Sequence, residues 1–481
     1  MTQMQPSTHE PLFKPRTNFD LLRMPLLGRL LRWRWGRLVF QLLLLLVAGL
    51  ILYDGFTGPQ LAASNNATVL AWVHYRGLVI LVLLLAGNFF CFGCPFTLPR
   101  TLARRLSLVG RRWPRALRNK WVSVVGLFLI FWLYEWLDLW ASPWLTAWVA
   151  AGYFAGSFAL EAFFAESPFC KYVCPLGAFN FVYATASPLQ ITARDAVVCR
   201  DCAGKECVNG SESIPGCGTE LYVPTIRSNM DCIFCLDCAR ACPYDNVALA
   251  PRRPLAQLTG KTWPRRWDLA FLVVVVTFMG ISNAFGMVPP VYVLESWLAA
   301  TLGLTSDALR LLVLFGLLNL ALPALALFGG AWVSRAFGPN PKARLRTIAA
   351  RYTPAFVPLG LGVWLSHYGF HLAIGGLTIV PVLQSFLLDH GISWLGAEPV
   401  WGLGFLIPMA WIFPLQVGAV LMGFLASLYV LAAQSRREGV SPHDSLRELL
   451  PWAAVLLLLT VASLVIFNLP MEMRGGPLVG M

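Results

Sequence analysis

Apolar residues crowd into nine long runs along this 481-residue chain, near positions 38–54, 74–94, 121–140, 145–165, 268–288, 308–328, 354–374, 400–432 and 451–469. A helix rises about 1.5 Å per residue, so crossing a hydrocarbon layer of roughly 30 Å takes about 20 apolar residues. Each run therefore predicts a membrane-spanning helix. The eighth is long and carries Pro408 and Pro414, which predicts a tilt or a kink. The polar connections alternate in charge. Segments 55–73, 141–144, 289–307 and 375–399 contain no Lys or Arg, whereas Arg100 to Lys120 holds eight, Arg335 to Arg351 five and Arg436 to Arg447 three. Because basic loops stay in the cytoplasm, nine spans with the N-terminus inside put every basic loop in the cytoplasm and the C-terminal tail outside.

This pattern divides the chain into four parts: a basic cytoplasmic segment 1–37, a four-helix membrane region 38–175, a polar cytoplasmic insert 176–266, and a second membrane region 267–481 of about five helices. The predicted fold class is an all-α polytopic membrane protein interrupted by that insert. Composition agrees, with 57% hydrophobic and 13% charged residues and a mean hydropathy of +0.64. Nineteen Trp and thirty-one Phe suit the aromatic belts at membrane interfaces, with lipid as the surrounding partner. The net charge of +13 changes little, because its basic residues cluster in short loops that the orientation rule explains without a nucleic-acid partner. Seven Lys/Arg in the first 37 residues, ahead of any long apolar run, read as the flank of an uncleaved anchor. The stretch Leu21 to Leu38, with five Arg, reads as lying along the cytoplasmic surface.

The chemistry is concentrated in cysteine. All twelve lie between Cys91 and Cys242, on the side that the topology assigns to the cytoplasm, where reducing conditions favour metal ligation over disulfides. The run Cys232-Ile233-Phe234-Cys235-Leu236-Asp237-Cys238-Ala239-Arg240-Ala241-Cys242-Pro243 has the C-x2-C-x2-C-x3-C-P spacing of bacterial [4Fe–4S] ferredoxins, whose fourth cysteine crosses to the neighbouring cluster. The insert is thus predicted to be ferredoxin-like with two clusters, one on Cys199, Cys202, Cys207 and Cys242, the other on Cys217, Cys232, Cys235 and Cys238. A zinc site is the competing reading, since C-x2-C pairs also bind zinc. The upstream half departs from the usual spacing: Cys207 follows Cys202 by five positions, and Gly218 rather than Pro follows Cys217. Two further pairs, Cys91/Cys94-Pro95 and Cys170/Cys174-Pro175, end the second and fourth apolar runs at what should be one depth. They are candidates for a third [4Fe–4S] cluster; the alternatives are a redox dithiol or buried, unliganded thiols.

A Cys-Pro pair after each of two membrane hairpins, followed by a two-cluster ferredoxin pattern, resembles the NapH/NosR-type membrane polyferredoxins (the 4Fe–4S membrane protein family, related to CcoG) over roughly residues 38–255. The resemblance implies an iron–sulfur electron-transfer subunit of a respiratory chain in the bacterial inner membrane. It links cytoplasmic-side clusters to the quinone pool or a periplasmic c-type cytochrome, with cytoplasmic redox subunits as further partners. A quinol dehydrogenase-like oxidoreductase complex would be its setting. The alternative is a CcoG-like metal reductase that assists assembly of a terminal oxidase. No extracytoplasmic flavin domain precedes the spans as in NosR-type proteins, and further helices follow where CcoG-like proteins carry a periplasmic domain, so the second half lies outside the resemblance.

Inner-face clusters and an outer-face partner would be separated by roughly 30 Å of hydrocarbon, so a quinone, a haem or a partner's redox group must bridge them. Four histidines fall on the outer side: His74, His367, His371 and His390. His367 and His371 stand at i and i+4, about 6 Å apart on one helix face. They cannot ligate one b-type haem from opposite sides, although either can pair with His74 or His390; quinone binding, or plain helix packing, is the other reading. Glu135, Asp138, Glu161 and Glu166 sit near span ends, as a proton relay or as hydrated interfacial groups. The chain has no C-x-x-C-H for covalent haem and no dinucleotide-binding glycine fingerprint. A carrier role for the Pro- and Gly-broken second half is the remaining class.

Overall fold

A computed structural model of the chain describes residues 19–99, 110–164, 167–260, 263–436 and 440–471. It is a multi-pass, mostly α-helical membrane protein. After the short helix α1 (Leu27–Arg32) come α2 (Gly36–Thr57), α3 (Asn66–Ala86), α4 (Trp121–Trp136), α5 (Pro143–Phe163) and α6 (Pro175–Ala184). The second half contains α7 (Trp267–Phe285), α8 (Pro290–Leu302), α9 (Asp307–Phe337), α10 (Leu345–Gly375), α11 (Ile379–Asp389), α12 (Met409–Ser435) and α13 (Pro442–Asn468). Among the described residues six helices, α2, α3, α7, α9, α12 and α13, are long and apolar enough to span, and α10 with α11, bent by 52°, makes a seventh.

The count falls below nine at the third and fourth runs. Helix α4 is only 16 residues long because the chain turns at Asp138, whose φ is 43°. Ser142 then caps α5 with Pro143 in its first turn, and Trp, Tyr, Gly and Ser dilute the apolar content of α5. The eighth run also differs. Pro408 precedes α12 instead of kinking it, residues 400–408 are not helical, and Pro414 lies inside a helix that continues to Ser435.

Helix α7 occupies the centre. It is hydrophobic on all faces and buried on all of them, which is the expected fate of a helix without a polar stripe. Against it packs α10, which also meets α12 closely: a Cβ on Gly362 would stand 2.5 Å from the Ala419 carbonyl oxygen, so only glycine allows the approach.

The polar segment between α6 and α7 is bracketed by one antiparallel pair, β1 (Leu189–Ala193) and β2 (Val247–Pro251), in register from Leu189↔Pro251 to Ala193↔Val247. Its small core of Phe92, Ile191, Phe234, Leu236 and Leu249 takes in Leu22 and Leu31 as well. The N-terminal stretch thus packs on the polar unit, and Asp20 accepts from both Arg194 Nε and Nη2, at 2.9 and 2.7 Å, and from Leu249 N at 3.1 Å.

Arg252, at the end of β2, joins this unit to the membrane helices. Its buried guanidinium donates to the carbonyls of Ala184, Thr185 and Ser187 and to Gln257 Oε1, all between 2.6 and 2.9 Å. Those carbonyls lie at and just beyond the C-terminal end of α6, where a cation also complements the helix dipole. Arg252→Met should cost about 3 kcal/mol by leaving the buried Thr185 and Ser187 carbonyls without their donor. A thermal melt in detergent checks this; an unchanged midpoint would contradict the anchoring role.

Candidate functional site

Chain breaks at the inner ends of α3 and α5 create the first thiol set. Helix α3 stops at Gly87, whose φ of 74° favours glycine and where a Cβ would strike Ser187 Oγ and crowd Phe234. A short helix, Phe89–Gly93, follows and delivers Cys91 and Cys94. On the other side the wide turn Phe169–Val173 delivers Cys170 and Cys174, and Cys174 caps α6. The four cysteines line one pocket with Asn180, Gly177, Phe90, Phe96 and Leu176. Gly177 N donates to Cys174 Sγ at 3.2 Å and Asn180 Nδ2 to Cys91 Sγ at 3.4 Å.

The polar unit forms two more sets. Cys199, Cys202, Cys207 and Cys242 line a second pocket, with Asn246 donating its Nδ2 to Cys199 Sγ and its backbone N to Cys242 Sγ at 3.2 and 3.4 Å. Cys238 lies within electrostatic reach of Cys217, Cys232 and Cys235, and Leu221 N donates to Cys217 Sγ at 3.4 Å. The sets adjoin one another, since Cys207 is within reach of Cys217 and Cys232 is within reach of Cys91. Disulfides join none of the twelve.

The backbone around these sulfurs is strained in one consistent way. Of eight non-glycine residues with positive φ among the described residues, six lie here: Lys205, Glu220, Asp231, Phe234, Leu236 and Asp245. Each costs on the order of 1 kcal/mol or more and persists only where its surroundings enforce it. Such turns aim successive N–H groups into a concavity, the arrangement that receives anions and iron–sulfur groups. Burial pushes the Cys232 thiol up to about 12 and those of Cys235 and Cys238 well above the ordinary range. These sulfurs become thiolates only against a compensating cation. Burial alone would also raise the Asp237 carboxyl, but Arg37 and Arg240 outweigh it and hold it below the usual carboxylate range.

Among the described residues no three His, Cys, Asp or Glu side chains converge as they would on a single metal ion. A four-iron cubane differs in its demand, because each thiolate binds a separate iron and the sulfurs must stand apart around a common space. Four thiols around one pocket, with N–H groups directed at them, fit that demand better than they fit one zinc ion.

Above the membrane-edge thiols lies a half-open cavity of about 220 Å³, lined by α2, α3, α4 and α5, with Phe179 of α6 and Tyr368 of α10. Pro95 and Pro175, the residues after Cys94 and Cys174, line it from below. Arg76 on α3 also lines it; this residue went unnoticed in the sequence reading, although a cation inside an apolar run is a functional signal by itself. Its guanidinium is buried, donates to Tyr134 Oη at 3.1 Å, and stacks on Trp72, Tyr134 and Tyr368 at 4.4, 4.2 and 5.0 Å.

No family model and no solved structure matches the chain. It is similar to the putative electron transport protein YccM of Escherichia coli, 29% identical over 131 residues, which cover 26% of this chain and 33% of that protein. It is also similar to the uncharacterized protein MJ0750 of Methanocaldococcus jannaschii, 27% identical over 90 residues, 18% of this chain and 33% of that one. The matches thus span a third of each curated relative's length.

The histidines separate into two kinds. His74 has its ring nitrogens 3.0 and 2.9 Å from the carbonyl oxygens of Val69 and Gly376, and His390 meets Tyr53 Oη and the Phe386 carbonyl at 2.9 and 2.8 Å. Neither retains a free nitrogen for iron. His367 and His371 are buried with ring centroids 5.1 Å apart; His367 Nε2 faces Met287 Sδ at 3.2 Å, while His367 Nδ1 and His371 Nε2 meet no partner among the described residues. Of the acidic residues, Glu135 and Glu161 are buried and Asp138 is half-buried, with Ser167 Oγ donating to Glu161 Oε2 at 3.3 Å. Glu166 lies outside the described residues.

The break at Gly87 positions Asn88, whose Nδ2 donates to the Cys232 carbonyl at 2.9 Å and ties the membrane-edge set to the polar unit. Gly87→Ala should destabilise this junction by about 1–3 kcal/mol through strain and the clash with Ser187. A lowered melting midpoint would agree; an unchanged one would remove the junction's dependence on glycine.

Proposed function

We propose that this chain is the membrane-integral electron-transfer subunit of a respiratory oxidoreductase, with three [4Fe–4S] clusters held by its twelve cysteines. Cys199, Cys202, Cys207 and Cys242 hold the first, Cys217, Cys232, Cys235 and Cys238 the second, and Cys91, Cys94, Cys170 and Cys174 the third. Each cluster, when bound, takes up and releases one electron. The polar unit is then a ferredoxin-like domain in the cytoplasm, the N-terminus is inside, and the first set is where a cytoplasmic redox partner docks. The quinone pool, or a periplasmic c-type cytochrome reached through it, lies at the other end. The observation that carries this reading is the grouping of the thiols into three adjoining sets that lead from the polar unit to the membrane edge.

The chain's own residues serve these groups in definite ways. Asn246, Leu221, Gly177 and Asn180 donate to the sulfurs and favour their thiolate form. Arg37 sets a half-buried cation between two of the sets: its Nε donates to the Phe92 carbonyl at 3.0 Å, its Nη1 stands 3.6 Å from Asp237, and it lies within electrostatic reach of Cys94, Cys170 and Cys235. A positive charge there stabilises the reduced, more negative state.

One observation favours a second reading, a CcoG-like metal reductase. The buried His367, Met287 and His371 are the nitrogen and thioether donors that suit copper. That reading expects copper to bind the purified protein and binding to fall on His367→Ala.

Cys170→Ala and Cys235→Ala test the primary reading. Each should remove about four irons and one cluster's EPR signal while the other signals stay. Unchanged iron in the Cys170 variant would reduce the membrane-edge cysteines to plain thiols.

A further inference from the structure

The 220 Å³ cavity is not explained by packing. Protein interiors are close-packed, and an apolar void of about 150 Å³ already takes up benzene. This one is larger and is not uniformly apolar. Tyr75 and Arg76, adjacent on α3, both line it. The Tyr75 hydroxyl is buried and has no hydrogen-bond partner among the described residues. An orphaned buried hydroxyl normally costs about 1–3 kcal/mol, so its persistence calls for an explanation. Arg76 is 7% exposed inside a span, with aromatic rings from α3, α4 and α10 gathered round it. A hydrocarbon occupant, such as a lipid acyl chain, would meet neither group.

The position of the cavity is equally specific. Phe90, Phe96 and Leu176 line both the cavity and the four-thiol pocket, so a single layer of side chains separates the two spaces. Tyr75 packs edge-on against Phe90, with ring centroids 4.8 Å apart, which puts it at the thiol end. Arg76, bonded to Tyr134, stands toward the other end. A flat ring that carries an oxygen at each of two opposite edges matches this arrangement.

We propose that this cavity binds the ring of a membrane quinone, with Tyr75 Oη and the Arg76 guanidinium as donors to its two oxygens. The site is separate from the histidines: none of His74, His367, His371 and His390 lines the cavity. The inference rests on the electron-transfer reading and gives its quinone a location.

The test uses the full-length protein, purified anaerobically in detergent, and an azido-substituted decyl benzoquinone as photolabel. Labelled peptides from α3, α4 or α5, competed by unlabelled decyl benzoquinone and not by decanol, are expected. Tyr75→Phe removes only a hydroxyl without a partner, so a structural role predicts unchanged or higher stability. A ligand role predicts about tenfold weaker competition, equivalent to about 1.4 kcal/mol. Ala150→Phe, which fills the cavity from α5, should abolish labelling while iron content stays at the wild-type level. Competed labelling absent from α3, α4 and α5, competition by decanol, or unaltered binding in both variants would overturn the site while leaving the electron-transfer reading intact. Iron-free wild-type protein would sink that reading, and this site with it.

Discussion

A thiol buried in apolar surroundings resists ionisation, yet only the thiolate binds iron. Around Cys232, Cys235 and Cys238, burial raises the thiols far beyond neutrality, and the chain responds with N–H groups, strained turns and a half-buried arginine. The left-handed residues Phe234 and Leu236 alternate with the cysteines of the C-x2-C-x2-C run, which gives that run a concave face. Arg37 projects from the start of α2 and bonds both to the Phe92 carbonyl and to Thr97, next to the first membrane-edge pair. Without a cationic occupant, this arrangement would be a concentration of unfavourable burial.

The same constraint explains why the polar unit and the membrane helices are so tightly joined. Lys120, almost fully buried before α4, donates to Asp231 and to the Lys171 carbonyl at 2.5 and 2.6 Å, linking two cysteine-bearing loops. Asn229 donates to the carbonyls of Ala184 and Leu189, Asn88 donates to that of Cys232, and Arg252 caps α6. On the proposed reading fixed spacing between the clusters matters more than in most folds, because electron transfer falls away steeply with distance. These buried hydrogen bonds across the joints supply that rigidity.

Much of this was legible in the sequence, for identifiable reasons. Apolar runs need no tertiary information to declare helices, and the multi-pass helical character follows from them. The cysteine spacings put Cys199, Cys202, Cys207 and Cys242 together, and the structure sets those four around one pocket. Other features depend on contacts that no local pattern encodes. The end of α4 is set by the turn at Asp138, the end of α3 by the proximity of Ser187 and Phe234 to Gly87, and the α10–α11 bend by the segment after Gly375. The cavity was invisible because its walls come from helices distant in sequence. Arg76 is readable as the lone cation of its run, although its aromatic partners are not. The histidines show the opposite failure: His74 and His390 looked like free ligands, and their nitrogens are occupied by carbonyls and a tyrosine hydroxyl.

The central claim is that twelve cysteines serve three cubanes. Iron, acid-labile sulfide and zinc should be quantified together on the anaerobically purified protein, with low-temperature EPR of the reduced sample. The account predicts about twelve irons and as many sulfides per chain, without zinc, and signals from interacting [4Fe–4S] centres. Stoichiometric zinc in place of iron, or protein free of both metals, would contradict it.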